Sequence, residues 1–254
     1  KMLRNTGYRR LRQPNHLDVA AAFGELRSMF PNFEAAISEL ECAWALAQES
    51  GITSFHLTPL LLDGPPGIGK TFFAEELAAW WDVSFGSIDA ASAQGGFEII
   101  GTSSHYSNSQ AGRVFSLLAD GEAANPLLLI DELDKSGGDQ RYPFADALLP
   151  LLEPRTAKRF EDSALRILFD ASKVMIMATS NDAHRISEPL LSRMQVVSVP
   201  APDAAQRFQM ARRIADHESM MIKSKLDISD DAIAKLAESD VSPREIKKIV
   251  RRGI

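Results

Sequence analysis

The sequence holds a single cysteine, Cys42, which excludes an internal disulfide. Its apolar neighbours, Trp44 among them, make it read as a small buried hydrophobe rather than a reactive thiol. The histidines (His16, His56, His105, His184 and His217) are too scattered for zinc spacing, and none is assigned a catalytic role. No apolar run approaches the roughly 20 residues that would cross a bilayer. No signal peptide is recognisable either, so the expectation is a cytoplasmic chain without a membrane partner. An excess of positive charge is also missing: 28 basic residues against 34 acidic ones leave −6, so no overall field recruits nucleic acid. Repeats, low-complexity tracts and heptads are absent from the sequence. What is there is ordinary globular composition, 45% hydrophobic and 24% charged, over 254 residues, which suits one large and one small domain. The ends, Lys1 and Arg251-Arg252-Gly253-Ile254, are compatible with a piece of a longer chain.

The most informative stretch runs from Leu60 to Thr71. Leu60-Leu61-Leu62-Asp63 reads as a buried strand and Gly64-Pro65-Pro66-Gly67-Ile68-Gly69 as a tight turn, after which Lys70-Thr71 opens a helix. This is the strand–loop–helix setting of a phosphate loop. Gly64, Gly67 and Gly69 let the backbone bring its N–H groups against phosphate oxygens, and the following helix adds unpaired N–H groups and the positive end of its dipole. Lys70 is expected to reach the β- and γ-phosphates of a bound nucleotide, and Thr71 to place its hydroxyl on Mg²⁺. A glycine-rich turn beside a surface lysine would not need four residue types at fixed spacing.

A second motif lies at Leu127-Leu128-Leu129-Ile130-Asp131-Glu132. Its continuous apolar run suits a strand buried on both faces of a parallel sheet, and its carboxylates fall at the C-terminal edge where such sheets bind ligands. Asp131 is assigned to the metal and Glu132 to polarising the attacking water as a general base. Taken alone, the same residues would make an ordinary strand ending in an acidic turn. A third strand, Val174–Thr179, ends in Ser180-Asn181, so Asn181 faces the same edge and could hold the water or the γ-phosphate; an asparagine turn is the alternative.

The rest of the chain falls around these motifs. Residues 1–14 carry Lys1, Arg4, Arg9, Arg10 and Arg12 with no acidic residue and read as a solvated arm, with a transit peptide or polyanion-binding arm as alternatives. An amphipathic helix is expected over Phe33–Glu49, with Phe33, Ile37, Leu40, Trp44 and Leu46 as its core stripe. The helix from Thr71 to Trp81 carries more apolar surface than one stripe requires and should be packed on more than one side. Further strands are read at Val83–Ile88, Leu165–Phe169 and Val196–Val199, and helices near Ala111–Leu118 and Pro143–Leu152. In the polar stretch 89–112 an isolated Tyr106 is either a contact residue or incidental. Beyond Pro200-Ala201-Pro202, three helices are predicted: Ala204–Glu218, Ser229–Glu238 capped by Ser229, and Ser242–Arg252 with Pro243 in its first turn. The division is a basic extension over 1–32, an α/β core of parallel sheet flanked by helices over 33–202, and a small all-α lid over 203–254.

Gly64–Thr71, Asp131-Glu132, Asn181, Arg193 and Arg244, in that order, resemble the AAA+ ATPases, and most of all the ATPase module of Lon proteases. Asn125-Pro126, Asp134-Lys135, Ala145–Leu149, Ala178–Asn181 and Pro189–Met194 also look Lon-like. The resemblance implies an AAA+ P-loop fold, ATP and Mg²⁺ as ligands, and a homo-hexamer that unfolds or translocates a protein substrate. It implies that Arg193 is an arginine finger reaching a neighbouring subunit's γ-phosphate, that Arg244 is a sensor arginine in the lid and Asn181 a sensor at the strand end. It also makes Tyr106 the aromatic of a substrate-gripping pore loop, in which Ser107 stands where the family has an aliphatic residue and Gln110-Ala111 replaces Met-Pro. Lon's Ser–Lys protease domain would follow the lid, so no peptidase activity is expected from these residues. The rival readings are a clamp-loader or helicase-loader type ATPase acting on nucleic acid, and a nucleotide-switched scaffold without turnover.

Overall fold

The computed structural model describes residues 10–12, 19–49, 57–103, 109–137, 141–221, 228–239 and 241–253. Among the described residues, α-helices α1 (Val19–Met29) and α2 (Glu34–Glu49) precede strand β1 (Leu60–Asp63). Strand β1 is followed by helix α3 (Lys70–Trp80), and strand β2 (Phe85–Asp89) by helices α4 (Phe97–Ile100) and α5 (Arg113–Asp120) before strand β3 (Leu127–Asp131). After α6 (Phe144–Leu152) and the one-turn α7 (Pro154–Ala157) comes a hairpin of β4 (Phe160–Asp162) and β5 (Ile167–Phe169). Next are β6 (Met175–Ser180), the one-turn α8 (Glu188–Leu191) and β7 (Gln195–Ser198). Helices α9 (Ala204–Met221), α10 (Asp230–Glu238) and α11 (Pro243–Gly253) close the chain and pack on one another.

The main sheet is parallel throughout, in the order β2-β3-β6-β1-β7. Its apolar runs are continuous because alternate residues enter two different cores. Leu60, Leu62, Leu127, Leu129, Met175 and Met177 face one core with α1, α2, α3 and the C-terminal helices. Leu61, Leu128, Ile130, Ile176 and Ala178 face the other with α5 and α6. Helix α3 buries Phe72, Phe73, Ala74, Leu77 and Ala78, as its apolar excess predicts. Phe73 stacks on Phe33, with ring centroids 4.6 Å apart, and meets Phe30 edge-on at 5.2 Å. Such offset and edge contacts add to the burial of area.

Several expectations change. The stretch assigned to a basic extension contains α1, whose Phe23 and Leu26 lie in the main core together with Phe30. Helix α1 is therefore part of the packed body, not an appendage. The segment 10–12 also docks: Arg12 donates its backbone N–H to Asn125 Oδ1 at 2.7 Å and pairs with Asp82 and Glu122. The acidic partners absent from the local sequence come from elsewhere in the chain. Cys42 is exposed, because α2 turns Ala36, Ile37 and Leu40 inward and leaves 42 on the outer face; Leu46, at 58% exposure, lies off that stripe too. The strand read at Leu165–Phe169 does not join the main sheet; Ile167–Phe169 pairs antiparallel with Phe160–Asp162, a partner too short and charged to be read as a strand. Helix α4, a single turn, has no periodicity to betray it.

Candidate nucleotide-binding site

The C-terminal ends of β1, β3 and β6 stand side by side, and each delivers part of one polar cluster. From β1 the chain enters the loop Gly64–Gly69. A Cβ on Gly64 would lie 2.1 Å from the Val199 carbonyl oxygen, so no side chain fits there. Gly67 and Gly69 have φ of +79° and +98°, the left-handed region that glycine occupies without strain. The space above Gly67 is open, so the loop is a cradle of backbone rather than a packed turn.

Lys70, buried at the first turn of α3, folds back over this loop. Its ammonium donates to the carbonyls of Gly64 at 2.6 Å and Pro65 at 2.8 Å, and to Asn181 Oδ1 at 3.0 Å. Burial pushes the Lys70 pKa below its ordinary value, against the pull of Asp63 and Asp131. Thr71 donates its hydroxyl to Asp131 Oδ2 at 2.9 Å. The other oxygen, Oδ1, receives the hydroxyl of Thr179 at 2.5 Å, and the Thr179 oxygen accepts the backbone N–H of Glu132 at 2.9 Å. Glu132 itself is left-handed, with φ 55° and ψ 46°, and its carboxylate pairs with Lys135 at 2.7 Å.

These groups line a cavity of about 340 Å³ that also includes Gly67, Gly69, Asn181 and Arg244. Arg244 arrives from the start of α11, where it pairs with Glu75 of α3. A second cavity of about 500 Å³ lies on the far side of Pro66 and Gly67. It is walled by Pro65, Ile68 and Pro202 and by Met210, Leu236, Val241 and Ile246 of the C-terminal region.

Gly64 to Thr71, Asp131, Glu132, Asn181 and Arg244 are thus brought together. Arg193 is not among them. It lies between α8 and β7, with Nε 3.0 Å from Glu153 Oε1 and Nη1 donating to the Pro189 carbonyl at 2.8 Å. Tyr106 and Ser107 lie outside the described residues. The sequence reading missed Thr179, Asp89 and Pro243. Asp89 ends β2 in register with Asp131 and lines the cavity; reading that strand one residue longer would have found it. Pro243 sits against Gly69, 3.0 Å from where a Cβ would be, joining α11 to the loop.

A glycine cradle, a lysine at the helix start, and a hydroxyl and carboxylate facing each other are the donor set of a P-loop nucleotide site. Magnesium commonly binds through one or two carboxylates and hydroxyls together with phosphate oxygens, and Thr71 with Asp131 fits that. Among the described residues no group of three or more His, Cys, Asp or Glu could hold a metal alone.

Residues 60–200 match the family described as ATPase family associated with various cellular activities (AAA), and this chain belongs to that family. Among proteins it is similar to Lon protease of Dictyoglomus thermophilum, 34% identical over 202 residues, covering 74% of this chain and 25% of that protein. It also resembles the peroxisomal Lon protease homolog 2 of Oryza sativa subsp. indica, 37% identical over 150 residues, covering 59% of this chain and 17% of that protein. The chain therefore spans about a quarter of the length of the Lon relatives it matches over some three quarters of its own. In fold it matches a chain of the S. cerevisiae Hsp104:casein complex in its extended conformation, with a TM-score of 0.68 and 17% identity over 91% of this chain and 46% of that one. No helix among the described residues is long and apolar enough to cross a membrane.

Proposed function

We propose that this chain is the ATPase module of a Lon-like machine that binds ATP with Mg²⁺, hydrolyses it, and uses the cycle to unfold or translocate a protein substrate. The observation that carries this reading is the convergence of Lys70, Thr71, Asp131, Glu132 and Asn181, from three separate strand ends, on one cavity beside a glycine cradle. Bound Mg²⁺ would neutralise phosphate charge, held by Thr71 and Asp131. Lys70 exchanges its loop carbonyls for phosphate oxygens, and the N–H groups of Gly67 to Lys70 hold the anion. Glu132 polarises the attacking water, and Asn181 orients it or the terminal phosphate. The apolar slot beside Pro66 takes the flat base, burying it against Met210 and Ile246.

In this reading, α1 and residues 33–202 make the core, and residues 203–254 a lid whose Arg244 senses the phosphate. Arg193 lines no part of the 340 Å³ cavity in its own chain, which is what a residue serving a neighbouring subunit's site requires. The reading takes the assembly to be a homo-hexamer, with Tyr106 and Ser107 gripping a polypeptide in its channel. The Lon likeness supports the protein substrate, and the net charge of −6 disfavours nucleic acid.

The test is ATPase rate against protein concentration, with and without an unfolded polypeptide or DNA. A specific rate that rises with concentration and with polypeptide supports the reading. A rate that responds to DNA alone, or no ATP binding at all, overturns it. Mixing Arg193→Ala with Glu132→Gln chains should restore part of the activity each lacks, as shared sites demand.

A further inference from the structure

We infer that Thr179 is a positioning residue for hydrolysis, a single hydroxyl that holds the metal-binding carboxylate and the general base in register with each other. Its side chain is 1% exposed, near the end of β6, and it touches both halves of the acidic motif across the strand boundary. The direction of each hydrogen bond is forced. The Glu132 N–H can only donate, so the Thr179 oxygen accepts at 2.9 Å; its one proton is then left for Asp131 Oδ1, at 2.5 Å. The other carboxylate oxygen, Oδ2, is met by the hydroxyl of Thr71.

Glu132 has the further peculiarity of a left-handed backbone, disfavoured for any residue with a Cβ. It persists only where something holds it, and the Thr179 oxygen is the side-chain group that takes its N–H. The consequence is a sharp turn of the chain immediately after Asp131, so Glu132 leaves the line of β3 and lines the cavity instead of continuing the strand. Thr179 touches neither phosphate nor water in this scheme. It acts through Asp131 and Glu132, as groups behind metal ligands commonly do, with losses of about 10- to 100-fold on removal.

This inference rests on the reading of the cavity as an ATP-hydrolysing site, and the experiment separates the two. Thr179→Val keeps the shape and removes the hydroxyl; Thr179→Ser keeps the hydroxyl and removes a methyl. Affinity for a fluorescent ATP analogue is measured with Mg²⁺ and with EDTA, alongside kcat and KM at a protein concentration where the unsubstituted chain turns over. The expected result for Thr179→Val is EDTA affinity unchanged within about twofold, most of the Mg²⁺-linked gain lost with a matching rise in KM for the Mg²⁺ complex, and kcat down about 10- to 100-fold. Thr179→Ser should recover most of that loss. Unchanged kcat and Mg²⁺ response in Thr179→Val overturns the inference, as does a Thr179→Ser variant as impaired as the valine, since packing would then be the cause. If Thr179→Val fails to fold by circular dichroism, the serine variant decides by the same criteria. If the unsubstituted chain binds no ATP at all, the functional reading fails first and this inference with it.

Discussion

The strand-end cluster and the seam between α3 and α11 are both polar, but they are built differently. In the cluster, Lys70 is tied to Asn181, and Asp131 to Thr71 and Thr179, by hydrogen bonds between buried or half-buried side chains whose partners lie 48 to 111 residues apart in the chain. At the seam, Arg244 pairs with Glu75 and Lys247 with Glu76, on two helix surfaces, and Arg244 is 46% exposed. Buried hydrogen-bonded groups have few alternative arrangements, whereas exposed ion pairs exchange readily with water. The exposed Arg244–Glu75 pair can thus be remade more readily than the strand-end cluster, although the C-terminal helices also share the main core with α3.

The comparison can be broken by substitutions on either side. The largest effect is expected at Glu132: Glu132→Gln should lower turnover about 10²- to 10⁴-fold, while ATP affinity in a filter-binding or fluorescence titration stays within about threefold. Normal turnover would remove Glu132 as the base. Lys70→Ala should weaken ATP about 10²-fold, since at least two charge-assisted hydrogen bonds to phosphate are lost, visible as the disappearance of nucleotide-induced thermal stabilisation.

Effects at the lid should be smaller and should read as stability. Glu218, buried at the base of the lid, is bonded by Arg251 at 2.5 Å and lies 3.4 Å from Lys247. Burial alone would raise its pKa, but the hydrogen bond from Arg251 and the charge of Lys247 outweigh it and hold the carboxyl below its ordinary 4.5. A lowered folded pKa means the contribution is present above the unfolded value and is lost as pH falls through the folded one. Glu218→Gln should therefore cost about 1–3 kcal/mol in urea unfolding near neutrality, with the gap to the parent chain closing as the solution is acidified below 4.5. A gap that persists in acid would show packing, not charge, to be the cause. The smallest effect is expected at Glu75→Gln, about 0.2–1 kcal/mol in the same measurement, because both partners are partly solvated. A larger loss there would erase the contrast between the buried cluster and the exposed pair at the seam.

How much of this was legible differs from residue to residue. The loop Gly64–Thr71 could be read because its function depends on local backbone freedom and on residues adjacent in the chain. Asp131 and Glu132 could be read because a continuous apolar run announces a buried parallel strand, and its end announces the ligand edge. Ser229 as the cap of α10 was equally local, and it accepts the Ala232 N–H. Thr179 was passed over because nothing in Ala178-Thr179-Ser180 says that β6 lies beside β3; that adjacency exists only once the strand order is known. The error at Cys42 has a similar origin. Its neighbours are apolar in sequence, but which face of α2 turns inward is set by what the helix meets.

The sequence by itself determined the phosphate cradle, the acidic strand end and the alternation of strand and helix, since each is written in neighbouring residues whose steric and hydrogen-bonding preferences act over a few bonds. Only the tertiary structure decided that α1 belongs to the core, that Asp89 and Thr179 join the cavity, that Arg193 stands away from it, and which charges Arg244 and Glu218 meet. Those are properties of surfaces brought together across the chain, and no short-range preference encodes them.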